Sequence, residues 1–141
     1  MAEAYFRKEI TGKPDLAVSS AGVSALPGAE ASYETQAFVE EAGASLEGFC
    51  SRQVTREIVD EATHIFCLTK RHARTLLSAF PDLKDRKVYL VGDFVEIDGR
   101  VGADIPDPFG MGPDAYESVS DILKKAIPNL ATFVEQSRKA A

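Results

Sequence analysis

The sequence predicts a three-layer α/β domain in which helices cover both faces of a parallel sheet. Two observations lead there. Helical stretches alternate with short apolar runs along most of the chain, the order expected when each strand is followed by a right-handed crossover helix. One run, His64-Ile65-Phe66-Cys67-Leu68, is continuous rather than alternating, as a strand covered on both faces must be. The 141 residues, 45% hydrophobic and 27% charged, suffice for one domain with a real core, spanning 1–141, and leave no room for a second.

Taken in order, the opening Ala2 to Ile10 combines helix formers with an aromatic pair, and Gly12-Lys13-Pro14-Asp15 ends it. It reads as a helix without its proper start. Leu16-Ala17-Val18-Ser19-Ser20 is a strand candidate, stopped by Ala21-Gly22 and followed by a loop through Pro27-Gly28. Ser32 to Ala42 is expected to be helical, with Tyr33, Ala37 and Phe38 on one face and Gly43 as its stop. A loop then runs to about Val54. Thr55 is placed to cap a short helix whose apolar members are Ile58, Val59 and Ala62, with Glu57 near the positive end of the helix dipole.

After the run at 64–68, Thr69 caps a helix in which Ala73, Leu76, Leu77 and Phe80 recur at i, i+3, i+4 and i+7. Pro81-Asp82 ends it. Lys87 to Val91 is the next strand, and Gly92 to Gly112 is a long connection rich in Asp, Gly and Pro, of a length that commonly carries function. The last helix starts near Asp114 with the stripe Tyr116, Val119, Leu123, Ile127 and Leu130. Pro128 is expected to kink or divide it, and the tail beyond Phe133 to fray.

A formal charge of −6 argues against a broad nucleic-acid surface, which needs many cations to neutralise phosphates. A small local anion site remains compatible with it. The sequence has no stretch of about 18 or more apolar residues and opens without a signal peptide's hydrophobic centre, so no membrane partner and a cytoplasmic location are expected. Cys50 and Cys67 could form at most one disulfide and match no CxxC or zinc spacing, which suits a reduced compartment. Neither a metal nor a nucleotide cofactor is indicated.

Four separated segments, in order, resemble the low-molecular-weight protein tyrosine phosphatases over nearly the whole chain. Met1-Ala2-Glu3-Ala4 is similar to the segment that comes after the family's Cys-x5-Arg-Ser loop. Ser19-Ser20-Ala21-Gly22 resembles the turn after the second strand, and Ser51-Arg52-Gln53 the stretch before the third. Asp107-Pro108-Phe109-Gly110 resembles the Asp-Pro-aromatic acid loop and lies where it should, between the fourth strand and the last helix.

The resemblance implies a doubly wound sheet whose central first strand, with the nucleophilic cysteine and the arginine six residues after it, would precede Met1. It also implies the chemistry. A thiolate attacks phosphorus, backbone amides and the arginine hold the equatorial oxygens, and an acid protonates the leaving group. Asp107 is the expected general acid, because the following proline restricts its backbone and a loop lets the carboxyl approach a leaving oxygen. Asp104 competes for that role, and an Asp-Pro pair can equally be a simple turn. Phe109 is either an apolar wall against the substrate or an anchor to the core. Ser20 resembles the serine that supports the phosphate loop; on its own it would bond within its turn.

Cys50 to Arg56 also satisfies Cys-x5-Arg. No good strand precedes it and no glycine opens the loop for close approach to an anion, so Cys50 is expected to be a loop thiol and Cys67 a small core residue. His64 precedes the buried strand. His72, with Lys70, Arg71 and Arg74, forms a basic helix turn that either attracts a phosphorylated partner or is a solvated face.

The expected function is a protein phosphatase acting on phosphotyrosine, or on phosphoarginine as in one branch of the family, through a cysteinyl-phosphate intermediate, with a phosphorylated protein as partner. The 141 residues alone are expected to be inactive. The alternatives are a non-catalytic phosphatase-like interaction protein, self-associating through unpaired strand edges, and a thiol-linked arsenate reductase, which would need further redox cysteines.

Overall fold

A computed structural model describes residues 1–23, 28–84 and 86–140; Pro27, in the loop expected after the second apolar run, lies outside them. The helices among the described residues are α1 (Ala2–Glu9), α2 (Tyr33–Glu41), α3 (Arg56–Glu61), α4 (Lys70–Ala79) and α5 (Pro113–Ala140). The strands are β1 (Ile65–Cys67), β2 (Val88–Leu90), β3 (Glu96–Ile97) and β4 (Arg100–Val101). Single 3-10 turns occupy Pro81–Leu83 and Val91–Phe94.

Local signals set most of these limits. Ser32, Thr55 and Thr69 each accept a hydrogen bond at their side-chain oxygen from the amide three residues on, capping α2, α3 and α4. At the other end of α3, Lys87 Nζ donates to the carbonyls of Val59 and Ala62, both at 2.8 Å, so a cation meets the negative end of the helix. α1 has Met1 at its N-cap with no side-chain hydrogen bond.

β1 and β2 pair in parallel with Phe66 opposite Tyr89. Alternation then divides the core in two. Ile65, Cys67, Val88 and Leu90 pack with Val59, Leu76 and Leu83 under α3 and α4. Phe66 faces the other way, into the cluster built by Ala4 and Phe6 of α1, Val39 of α2 and Val119, Leu123, Ile127 and Leu130 of α5. Helices therefore lie on both faces of the sheet, the three-layer α/β arrangement, which explains the continuous apolar run at 64–68. The α5 stripe is buried as its spacing requires.

Three expectations are corrected and a fourth gains detail. Leu16–Ser20 forms no strand; one parallel bridge, Gly22 to Gln53, forms just beyond it, since a strand needs a ladder of partners and not propensity alone. Tyr33 is 83% exposed, and Val39 is the buried residue of α2, with Phe38 stacked on Tyr116. α5 runs through Pro128 and on to Ala140 with neither division nor a frayed end at Phe133. The long connection after β2 contains a hairpin, β3 to β4, whose two-residue turn, Asp98-Gly99, has both residues at positive φ, +50° and +77°, as a type I′ turn demands.

Candidate functional site

Parallel α/β sheets place their sites beyond the strands' carboxyl ends, and the Asp107 segment departs from that end of β1. Leu68, just past β1, accepts a hydrogen bond from the Ile105 amide at 2.9 Å. Next to it Asp104 Oδ1 accepts from the Lys70 amide at 2.9 Å, and Lys70 Nζ donates to the Gly102 carbonyl at 3.0 Å. Asp104 is therefore tied to the N-terminus of α4, the preferred place for a carboxylate, and is the poorer candidate for proton transfer.

Two residues further, Pro106-Asp107-Pro108 carries the chain out to solvent. Asp107 is exposed, and its Oδ1 accepts from the Phe109 amide at 3.0 Å. This is the turn expected of a simple Asp-Pro pair. It also fixes the carboxylate's direction while leaving it in water, where a leaving group could reach it. Phe109 and Met111 are 75% and 70% exposed. Phe109 is thus no anchor to the core.

Ser20 belongs to a different cluster. Its hydroxyl donates to Glu3 Oε1 at 2.8 Å, and its carbonyl accepts from Arg52 Nε at 3.0 Å. Glu3 is buried, with Oε2 paired to Arg7 at 2.6 Å, and Arg7 reaches on to the Glu47 carbonyl at 2.8 Å. A buried carboxylate persists only when partnered in this way. Among the described residues no hydrogen bond joins Ser20 to the Asp107 loop. Glu3 and Arg7 did not stand out in the sequence, although their i, i+4 spacing on an opening helix was a usable signal.

The Cys50 to Arg56 stretch is no phosphate cradle. Cys50 is a free, exposed thiol. The Ser51 amide donates to the Ala29 carbonyl and the Val54 amide to the Gly22 carbonyl, so these donors join chain segments instead of converging on an anion. Arg56 forks onto both oxygens of Asp82, at 2.9 and 2.8 Å, and lies 4.8 Å from the centre of the Phe80 ring. Its guanidinium pulls the Asp82 carboxyl down to about 2. Cys67 is buried, and desolvation pushes its thiol up to about 11, the opposite of what a nucleophile needs. His64 stacks on Phe66 and Tyr89, and burial lowers its pKa.

No described helix is long and apolar enough to cross a membrane. The family model for low molecular weight phosphotyrosine protein phosphatase matches residues 1–140. The chain is 36% identical to a protein-arginine-phosphatase of Geobacillus stearothermophilus, over 84% of this chain and 76% of that one. It is 33% identical to the low molecular weight protein-tyrosine-phosphatase Wzb of Salmonella typhi, over 80% of this chain and 72% of the relative. Among solved structures, the YwlE arginine phosphatase from Geobacillus stearothermophilus superposes with a TM-score of 0.84 at 32% identity, covering 99% of this chain and 86% of that one. The three-layer architecture and the order of the matching segments have their explanation in common descent: the chain belongs to the low molecular weight phosphotyrosine protein phosphatase family.

Proposed function

We propose that this chain carries the acid loop and scaffold of a protein phosphatase that hydrolyses phosphotyrosine or phosphoarginine, with Asp107 as the general acid. The observation that carries the reading is an exposed carboxylate, aimed by its own turn, on a proline-flanked loop beyond the carboxyl end of the parallel strands. In this reading a cysteine thiolate and its arginine, on a strand and loop placed ahead of Met1, complete the site.

The thiolate forms a sulfur–phosphorus bond as the bond from phosphorus to the tyrosine oxygen or arginine nitrogen breaks. Asp107 gives its proton to that departing atom. Water then attacks the cysteinyl phosphate, Asp107 takes up a proton from it, and phosphate leaves with the thiolate restored. Phe109 lies beside the leaving group as an apolar wall, and Ser20, held by Glu3, supports the phosphate-binding side. Phosphoarginine is favoured by the likeness, in sequence and in structure, to the arginine phosphatase of Geobacillus stearothermophilus, and phosphotyrosine by the likeness to Wzb.

The test is hydrolysis of phenyl phosphate, whose phenolate needs a proton to depart, by the 141 residues alone and by a chain extended with the strand and Cys-x5-Arg loop. The short chain is expected to be inert. In the extended chain, Asp107→Asn or Asp107→Ala lowers turnover by about 100-fold or more, the usual effect of losing a general acid. An unchanged rate removes Asp107 from the mechanism. Turnover by the short chain that vanishes in Cys50→Ser reinstates Cys50 as the nucleophile.

A further inference from the structure

We infer that Asp104 is a positioning residue for Asp107, holding the base of the acid loop against the start of α4. The inference rests on the reading of Asp107 as the general acid. Three restraints meet within four residues. Asp104 Oδ1 accepts from the Lys70 amide at 2.9 Å, Ile105 donates its amide to the Leu68 carbonyl at 2.9 Å, and Lys70 Nζ reaches back to the Gly102 carbonyl at 3.0 Å. The Gly102 amide in turn donates to the Gly92 carbonyl at 2.8 Å. The segment 102–105 is thereby clasped between the turn after β2 and the N-terminus of α4.

Beyond the clasp the chain is stiff. In Ile105-Pro106-Asp107-Pro108 both proline rings fix their own φ, and each pushes the residue before it, Ile105 and Asp107, away from helical backbone. Between Asp104 and Asp107 little torsional freedom is left to absorb a displacement. A shift at residue 104 therefore passes on to the acid, and small misplacements of a catalytic group are costly in rate.

Asp104 serves two ends with one bond. It satisfies one of the orphan amides of α4, alongside the bond from the His72 amide to Thr69 Oγ1, and it sets where the loop leaves the sheet. A capping role alone predicts lost stability in Asp104→Ala. A positioning role adds consequences at Asp107 that capping does not.

Amide hydrogen exchange on the 141-residue chain reads the first of these. Asp104→Ala is expected to speed exchange at Ile105 and Phe109 about tenfold, in line with local opening of a restrained loop, while Leu76 and Leu123 keep their protection. Asp104→Asn retains an oxygen acceptor and should exchange as the parent does. If Phe109 exchanges at the parent rate in Asp104→Ala, the residue only caps α4 and the inference is overturned.

A second measurement uses leaving groups in the extended, active chain. Nitrophenolate departs unaided, whereas phenolate depends on the acid. Asp104→Ala should lower turnover of phenyl phosphate about tenfold more than that of 4-nitrophenyl phosphate, with Asp104→Asn near the parent. Equal losses on both substrates overturn the inference. The same comparison in Asp107→Ala separates the two ideas: no leaving-group dependence there defeats Asp107 as the acid, while the exchange result still decides whether Asp104 holds the loop.

Discussion

The hydroxyls of Tyr5 and Ser120 share a buried hydrogen bond of 2.6 Å that joins α1 to α5 across 115 residues of sequence. Both side chains are almost fully enclosed, so each hydroxyl relies on the other in place of water. Tyr5→Phe should destabilise the fold by about 1–3 kcal/mol, the usual penalty for leaving a buried polar group unpaired. Adding Ser120→Ala should restore part of the loss. Chemical denaturation of the two single variants and the double variant measures the coupling; strictly additive losses would show that the bond contributes nothing.

The two thiols should differ in reactivity and in their effect on stability. Cys50 is exposed and Cys67 buried, so a thiol reagent should modify one cysteine in the native chain and the second only on unfolding. The Cys67 thiol is raised from 9.0 to about 11 in the fold by desolvation. The folded state thus keeps a proton that the unfolded state releases. Its contribution is complete below about pH 9 and is lost as pH rises through about 11. Unfolding measured across that window in Cys67→Ala should show a shallower alkaline decline, and an identical decline would assign the effect to other groups.

Much of the architecture was legible because it is local. Thr55 and Thr69 announced their helices by chemistry within three residues, and the α5 stripe by spacing alone. Leu16–Ser20 failed for the converse reason: its propensity suits a strand, but pairing is decided by distant segments, and among the described residues nearby only Gly22, just beyond it, forms a bridge. In α2, Tyr33 and Ala37 suggested the buried face, whereas packing against α5 selected Val39. The β3–β4 hairpin was readable in principle from Asp98-Gly99 between Ile97 and Arg100.

Within the site, Asp107 and Phe109 stood out through a motif contiguous in sequence. The hold of Asp104 on Lys70 did not, because it joins residues 34 apart. Glu3, which binds Ser20 and Arg7 together, was hidden similarly: half of its partnership lies on a separate segment.

The Arg56–Asp82 fork should show itself in acid. Hydrogen bonding to Arg56 depresses the Asp82 carboxyl from 3.8 to about 2, so the folded state binds a proton less readily than the unfolded chain. The contribution is present above about pH 4 and is lost as pH falls through about 2. Because the pair is open to solvent, salt should weaken it. Carboxyl-carbon NMR should place the Asp82 midpoint near 2, moving toward the ordinary aspartate range in Arg56→Gln. A midpoint indifferent to Arg56 would refute the pairing in solution.

Gly92 should tolerate no side chain. A Cβ built there would stand 1.9 Å from the Ala103 carbonyl oxygen and 2.9 Å from its carbon, and backbone cannot swing aside as a flexible side chain can. Gly92→Ala must push residues 102–105 away from the turn after β2, straining the Gly102 bond and, through Ile105, the bond to Leu68. Overpacking of this kind destabilises by about 1–3 kcal/mol. The larger effect should fall on the acid loop, since its base has moved: exchange at Ile105 should rise while Val59, in the other half of the core, stays protected. Full stability with native exchange at Ile105 would mean that residues 92 and 103 do not approach so closely, and that the clasp beneath Asp107 is looser than its hydrogen bonds imply.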